Sequence, residues 1–419
     1  MSQWRQLAPA GTPIGASALL GWVSRLGRGR RAIDDLAAAV EARQGVHACV
    51  PAATGRAGLV LILRALARRA GPGRDEVVIP SYTCYTVAAA VVLAGLRPRV
   101  VDVSPETLDF ADAALDAVDF SRVLAIVPTN LFGLPSNLPA LAARARAHGS
   151  FLVDDAAQAF GAAVGGRASG TWGEAGLYSL DKGKNITAIE GGLAVANDAP
   201  TAAALREEAR ALQAPAGTAV ARDAVKLLAY AVLLRPWLYG LPNAIPQLQL
   251  GATRYTPEID LAGYNGVLAA MGLTMLPRLD AFNAARCRIA AGLDAGLRGV
   301  PGITIVRPLP GSQPVYLRYA FLAADGTERD ALLARLRDRG IGATGSYPTS
   351  IVDIPELAEI MRPFRDTCPV GRDVASRIVT LPTHAYVTAR DVTTMCDIVR
   401  GAPRAYATAA PMRAPEGRP

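Results

Sequence analysis

Glu76-Val77-Val78-Ile79-Pro80, Arg97-Pro98-Arg99-Val100-Val101-Asp102-Val103 and Phe151-Leu152-Val153-Asp154 decide the fold: each is a short apolar run, and a helical pattern separates it from the next. Thr83 to Ala94 and Leu138 to His148 carry apolar residues at helical spacing, as does Gly55 to Arg69 upstream; Arg122 to Val127 supplies a further strand. Strands that are nearly continuous in apolar residues are buried on both faces, and the helices between them cross over. The expectation is therefore an α/β fold with a mostly parallel, mixed sheet covered on both sides. Ligands of such sheets bind beyond the carboxyl ends of the strands, which places Pro80-Ser81-Tyr82, Thr129-Asn130 and Asp154-Asp155 on one rim.

Downstream, Gly192-Leu193-Ala194-Val195 leads into a helical segment ending near Gln213, and a second helical region runs from Gly266 through Arg286. From Ile303 to Arg400 short strands mix with helices such as Glu328 to Arg339 and Ala389 to Val399, the pattern of a smaller α+β domain. The expected division is an N-terminal arm or helix at 1–45, a large α/β domain at 46–265, a small C-terminal α+β domain at 266–402, and a tail at 403–419. That tail is rich in Ala, Pro and Arg and is expected to be disordered.

Composition narrows the function. A chain of 419 residues, half of them apolar, fits two domains with a large core. Its five cysteines are scattered without a CxxC pair, as expected of reduced thiols in a cytoplasmic protein. The three histidines, His47, His148 and His384, have no metal-ligand spacing, so no metal site is expected. A net charge of +8 is spread along the chain rather than gathered in a stripe with aromatics, which argues against nucleic acid and for an anionic small-molecule substrate. The N-terminus has no secretory pattern. The apolar run Leu227 to Leu234 is broken by Arg235 and Pro236, short of the roughly 20 residues a membrane span needs. Nothing in the sequence assigns a role to the apolar stretch 226–250.

Lysine is scarce. The chain has three, Lys182, Lys184 and Lys226, and arginine carries positive charge elsewhere. A primary amine can lose its proton near neutral pH and attack a carbonyl; a guanidinium cannot. Lys182 and Lys184 lie in Asp181-Lys182-Gly183-Lys184-Asn185-Ile186-Thr187, between the strand-like Gly176-Leu177-Tyr178-Ser179-Leu180 and Glu190-Gly191-Gly192. The plain alternative is a pair of solvated loop lysines. Asp154-Asp155-Ala156-Ala157-Gln158 closes a buried strand, and its plain readings are a helix cap or a magnesium site. A third reading joins carboxylate to lysine: a carboxylate at a pyridinium nitrogen and a lysine on the aldehyde make pyridoxal phosphate an electron sink.

The runs Asp155-Ala156-Ala157-Gln158, Ser179 with Lys184-Asn185-Ile186-Thr187 five residues on, and Glu190-Gly191-Gly192 resemble the DegT/DnrJ/StrS family of pyridoxal-phosphate-dependent sugar aminotransferases. So do Thr54-Gly55-Arg56-Ala57-Gly58-Leu59, Pro80-Ser81-Tyr82-Thr83, Leu131-Phe132-Gly133-Leu134-Pro135 and Leu381-Pro382-Thr383-His384, over about residues 46 to 400. The resemblance implies fold type I, a homodimer with shared active sites, and ping-pong transfer of an amino group from an amino acid, L-glutamate, to a nucleotide-linked ketosugar. Lys184 would be the Schiff-base lysine and proton carrier, and Asp155 the partner of the pyridine nitrogen. Gln158 would lie near the cofactor's phenolic oxygen. Ser179, Gly55 and the backbone amides of Arg56 and Ala57 would hold its phosphate.

Three departures stand out. Cys84 takes the place of the ring that the family stacks on the cofactor, with Tyr85 beside it as a substitute ring. Arg56 replaces a small hydroxyl residue. The Asn-Tyr-Arg run by which a family subunit reaches its partner's site is not recognisable before Gly266, where Arg254-Tyr255 and Asn265 are the candidates. The rival readings are another pyridoxal-phosphate reaction, such as sugar or cyclitol dehydration, and a non-catalytic regulator on the same scaffold. Family dehydratases are expected to carry histidine in place of Lys184, and a regulator would tolerate loss of Lys184 or Asp155.

Overall fold

The first five apolar strands of the chain are the framework on which everything else is laid. The computed structural model describes residues 5–243, 255 and 261–401. The strands are β1 (Ala48–Ala52), β2 (Glu76–Pro80), β3 (Arg97–Val101), β4 (Val123–Ile126), β5 (Phe151–Asp155), the two-residue β6 (Ala163–Val164) and β7 (Arg167–Ala168), β8 (Ala175–Ser179) and β9 (Gly192–Ala196). Seven of them form one sheet in the order β1-β9-β8-β5-β4-β2-β3. β9 runs antiparallel to both neighbours, and the pairings from β8 to β3 are parallel, so the sheet is mixed and mostly parallel as expected.

Helix ends follow local chemistry. The helix Gly55–Ala70 begins where the Thr54 side chain accepts from the Ala57 N–H at 3.1 Å. The segment expected to be helical from Thr83 starts at Tyr85, because Cys84 is extended and serves as the N-cap. The strand expected to reach Val103 stops at Val101. The Asp102 carboxylate instead accepts from the N–H groups of Val370 and Gly371 and caps the helix Pro369–Arg377. The helix Gly55–Ala70 is buried at nearly every position from Ala57 to Leu66, which suits a helix lying against the sheet and under further helices.

The C-terminal part carries β10 (Thr304–Ile305), β11 (Ser312–Gln313), β12 (Arg318–Leu322) and β13 (Ile378–Pro382). β10, β12 and β13 form a small antiparallel sheet, while β11 joins β6 and β7. The helices Leu279–Leu297, Gly326–Asp338 and Ala389–Val399 surround the apolar side of the small sheet. The helix Gly266–Met275 packs on Arg30–Gln44 and Ala16–Val23, beside the large sheet.

The helix Gly217–Leu233 runs into the apolar stretch 226–250 left unassigned from sequence; it seats Leu227 and Ala231 in the core and leaves Val225, Leu228 and Val232 exposed. Residues 244–250, candidate Arg254 and the 403–419 tail lie outside the described residues. Among the described residues no helix is long and apolar enough to cross a membrane.

Candidate active site

The ends of β5 and β8 and the start of the helix Gly55–Ala70 meet around a cavity of about 350 Å³. Gly192 permits this meeting: a Cβ there would lie 2.4 Å from the Thr54 carbonyl oxygen and 2.6 Å from Gly55 Cα, so only glycine lets β9 approach the helix start. Thr54, Gly55 and Arg56 line the cavity together with Ser179, whose Oγ would lie 3.5 Å from a Cβ built on Gly55. The Ala57 N–H is taken by Thr54 Oγ1, whereas the N–H groups of Gly55 and Arg56 take no partner among the described residues. A helix start with open N–H donors and a cationic side chain is a site for an anion.

Asp155 and Lys184 line the same cavity. Asp155 Oδ1 accepts from the Ala157 N–H at 3.0 Å. Burial pushes its carboxyl pKa up, and the Ala157 N–H and the Lys184 cation pull it back. A second cation arriving beside Asp155 would hold it ionised. Lys184 is half-buried, and its amine forms no ion pair with the described residues. Lys182 is exposed and outside the lining. The third lysine, Lys226, pairs at 3.0 Å with Glu190, itself a lining residue that sequence reasoning had placed only in a motif.

Asp154 faces the other side of its strand, as the two-residue period of a strand requires. It accepts from Asn130 Nδ2 at 2.8 Å and from the N–H groups of Gly170 and Trp172, and burial raises its pKa to about 7. Its work is to order the loop before β8 and the side chain of Asn130. Gln158 bridges the Phe132 N–H at 3.0 Å and the Tyr347 hydroxyl at 2.8 Å. Phe132 is buried at a φ of 56°, so Gln158 helps to hold a strained loop on the rim.

Of the nine residues expected at the cofactor, Gly55, Arg56, Cys84, Asp155, Gln158, Ser179 and Lys184 line the cavity. Ala57 and Tyr85 do not. Ala57 is fully buried behind its cap, and the Tyr85 hydroxyl accepts from the Thr349 N–H at 2.7 Å while its ring lies beside Tyr347. No aromatic residue lines the cavity among the described residues. Asn265, a candidate for reaching a partner, caps the helix Gly266–Met275 and donates to Asp223 at 3.1 Å. Thr129, Asn130 and Asp181 also line the cavity. The first two were expected on the rim, but Asp181 was missed because a carboxylate in a loop carries no signal of its own.

A sequence profile of the DegT/DnrJ/EryC1/StrS aminotransferase family matches residues 18–400. The chain is 29% identical over 389 residues to the UDP-N-acetyl-3-dehydro-alpha-D-glucosamine 3-aminotransferase of Acidithiobacillus ferrooxidans, covering 90% of this chain and 89% of that one. It is 31% identical over 379 residues to the L-glutamine:2-deoxy-scyllo-inosose aminotransferase of Micromonospora echinospora, covering 86% and 82%. Among solved structures, DesV of S. venezuelae superposes with a TM-score of 0.74 at 26% identity, over 93% of this chain and 94% of that one.

Proposed function

We propose, from the premise that this chain belongs to the DegT/DnrJ/EryC1/StrS aminotransferase family, that it moves an amino group from L-glutamate to a nucleotide-linked ketosugar by a ping-pong route. The chain is a pyridoxal 5'-phosphate-dependent aminotransferase of fold type I. The donor, the acceptor and the residue roles below are the inference. One observation carries it: a lysine amine and a helix N-terminus, both without partners among the described residues, line a single cavity with a buried carboxylate.

The cofactor's chemical groups fit this lining. When bound, it supplies an electron sink for the pair left as a proton leaves the carbon bearing the amino group. The N–H groups of Gly55 and Arg56, the Arg56 side chain and Ser179 would hold the phosphate. Asp155 would face the ring nitrogen, where a cation offsets the effect of burial on its carboxyl. Lys184 Nζ would anchor the cofactor and, once displaced, carry the proton off and onto the reacting carbon in both half-reactions. Gln158, fixed by Phe132 and Tyr347, would orient the ring from its oxygen side.

The net charge of +8 favours an anionic acceptor, in keeping with the UDP-sugar named for the relative aligned over 90% of this chain. The 31% relative, which takes a cyclitol ketone by name, favours a second reading in which the acceptor has no nucleotide. In either case the working unit is a homodimer in the cytoplasm. The presence of both Lys184 and Asp155 at the cavity argues against a dehydratase or a non-catalytic regulator.

The test is to load the protein with pyridoxamine 5'-phosphate and offer nucleotide ketosugars and cyclitol ketones in parallel. Return of the pyridoxal absorbance with a nucleotide ketosugar supports the proposal. Return with a cyclitol ketone alone selects the second reading, and silence with both refutes the acceptor class.

A further inference from the structure

Arg286 is the bulkiest fully buried side chain among the described residues, and no carboxylate pairs with it. It projects from the helix Leu279–Leu297 into a set of oxygens. Nη1 donates to the Asn185 carbonyl at 3.1 Å; Nη2 donates to Thr12 Oγ1 at 2.8 Å and to the Lys184 and Gly11 carbonyls at 3.2 Å each. Thr12 Oγ1 in turn donates to the Lys184 carbonyl at 2.6 Å. Nε has no partner. Burial lowers the guanidinium pKa to about 10, so the group stays charged at neutral pH without a counter-ion among the described residues.

Such a cation is costly to bury, and a methionine of similar reach would fill the space without that cost. What the guanidinium adds is a planar fork of donors, and two of its acceptors are the carbonyls of Lys184 and Asn185. One turn earlier on the same helix, Asn283 Oδ1 accepts from Asn185 Nδ2 at 3.0 Å, and Asn283 Nδ2 donates to the Phe160 carbonyl at 2.8 Å. The Lys184 N–H donates to the Asp181 carbonyl at 3.2 Å, across a Gly183 whose φ of 79° suits glycine. Helix Leu279–Leu297, the loop itself and the N-terminal segment thus grip the Lys184 main chain together.

The N-terminal segment is itself held at its far end. Arg5 makes a two-point ion pair with Asp391 at 2.7 and 2.9 Å, and the Leu7 N–H donates to the Gly340 carbonyl at 2.8 Å. It therefore runs from the small sheet's helices to the carbonyl of the reacting lysine.

We propose that Arg286 is a positioning residue for Lys184: with Thr12 it clamps the main chain from which the amine reaches the cavity, and so fixes the geometry of attack and proton transfer. This rests on the reading of Lys184 as the reacting amine. The clamp touches only the peptide carbonyls, so it leaves the Lys184 side chain free to rotate between anchoring the cofactor and carrying a proton.

The test uses the full-length holoenzyme and the variants Thr12→Val, Arg286→Met and Arg286→Lys. Thr12→Val keeps the shape and removes the hydroxyl that donates to the Lys184 carbonyl and accepts from Arg286, so it reports on the clamp even where Arg286→Met fails to fold. Melting temperature, the pH titration of the lysine–cofactor absorbance band, borohydride trapping, and kcat and KM for the amino donor are measured on each. Thr12→Val is expected to melt within a few degrees of the parent, to trap cofactor on Lys184, and to shift the titration midpoint of the band. Its kcat should fall by about 10²-fold, the loss a misplaced catalytic group brings, with KM little changed. Arg286→Lys should recover part of the kcat that Arg286→Met loses. An unshifted band and a parental kcat in Thr12→Val overturn the proposal, as does a kcat loss in Arg286→Met that tracks only the fraction of unfolded protein. Trapping of the cofactor away from Lys184 brings it down by a separate route, through the reading on which it rests.

Discussion

Lowering the pH from 7.5 to 5 should destabilise this fold through His384. The imidazole is buried; Nε2 lies 2.9 Å from the Ala8 carbonyl, and Nδ1 accepts from the Tyr386 N–H at 3.3 Å. Those partners specify the neutral ring with its proton on Nε2, because a proton on Nδ1 would face an N–H donor. Burial, aided by the nearby Arg286 and Arg318 cations and opposed by the Ala8 carbonyl and Asp391, lowers the pKa from 6.5 to about 4. The sign follows from proton uptake: between about 4 and 6.5 the unfolded chain binds a proton that the folded ring refuses. The stabilising contribution is full above 6.5 and is lost as pH falls toward 4. For those two pKa values the loss at pH 5 is about 2 kcal/mol. Asp154 acts in the opposite sense over a similar range, so the parent's pH profile alone would hide the effect. Denaturant unfolding at pH 7.5 and 5 should be compared for the parent and His384→Gln, whose amide can still donate to Ala8. The variant should lose about 2 kcal/mol less than the parent over that interval. Parallel profiles would refute the argument.

Asp155→Asn should keep the fold and slow both half-reactions by about 10²–10³-fold, with Asp154→Asn far milder; single-turnover kinetics with glutamate decides, and a crippled Asp154→Asn would move the register by one residue. Burial raises the Asp154 pKa to about 7, so its contribution to stability is present at low pH and is lost as pH rises from about 4 to 7; Asp154→Asn should erase that slope in unfolding experiments. Borohydride reduction and peptide mapping should place the pyridoxyl group on Lys184, and its appearance on exposed Lys182 would contradict the cavity geometry. Cys84→Phe should strengthen cofactor retention on dialysis by about 0.5–1.5 kcal/mol, the worth of an aromatic stacking contact, since the cavity lining offers no ring of its own. Sedimentation should give a dimer at assay concentration, and a fully active monomer would rule out shared sites.

The parallel core of the sheet was legible because its strands are continuous apolar runs, and β2 begins and ends at the residues the sequence marks, Glu76 and Pro80. β1 was not, since Ala48-Cys49-Val50-Pro51-Ala52 is short and contains a proline. It becomes a strand only by pairing along β9 at the edge of the sheet, a contact between residues such as Ala48 and Ala196 that are far apart in the chain. Boundaries slipped where something other than propensity sets the end: an extended backbone at Cys84, and at Asp102 a carboxylate turned to the N–H groups of Val370 and Gly371. At the site, residue types with unusual chemistry announced themselves: Lys184 by rarity, Asp155 by its place at a strand end. Ala57 was expected to offer its amide to an anion, a reading that could not see Thr54 Oγ1 taking the same proton. Arg286 carried no signal because arginine is the ordinary cation of this chain; only its burial and its carbonyl partners set it apart.

Asp154 and Asp155 show why the site needs both a local rule and a tertiary one. Adjacent positions on a strand point to opposite faces, so one carboxylate of the pair had to face away from the cavity whichever register held. That rule alone does not say which. The choice is made by what each face meets: the Asn130 amide and the Gly170 and Trp172 N–H groups on one side, the lysine loop on the other. Asp154, desolvated, surrounded by neutral donors and next to the Asp155 charge, has its pKa raised to about 7. Asp155 shares the cavity with Lys184, whose cation lowers its pKa against the pull of burial. Two identical side chains one residue apart therefore have different electrostatic duties, and exchanging their environments, not their identities, is what would disable the enzyme.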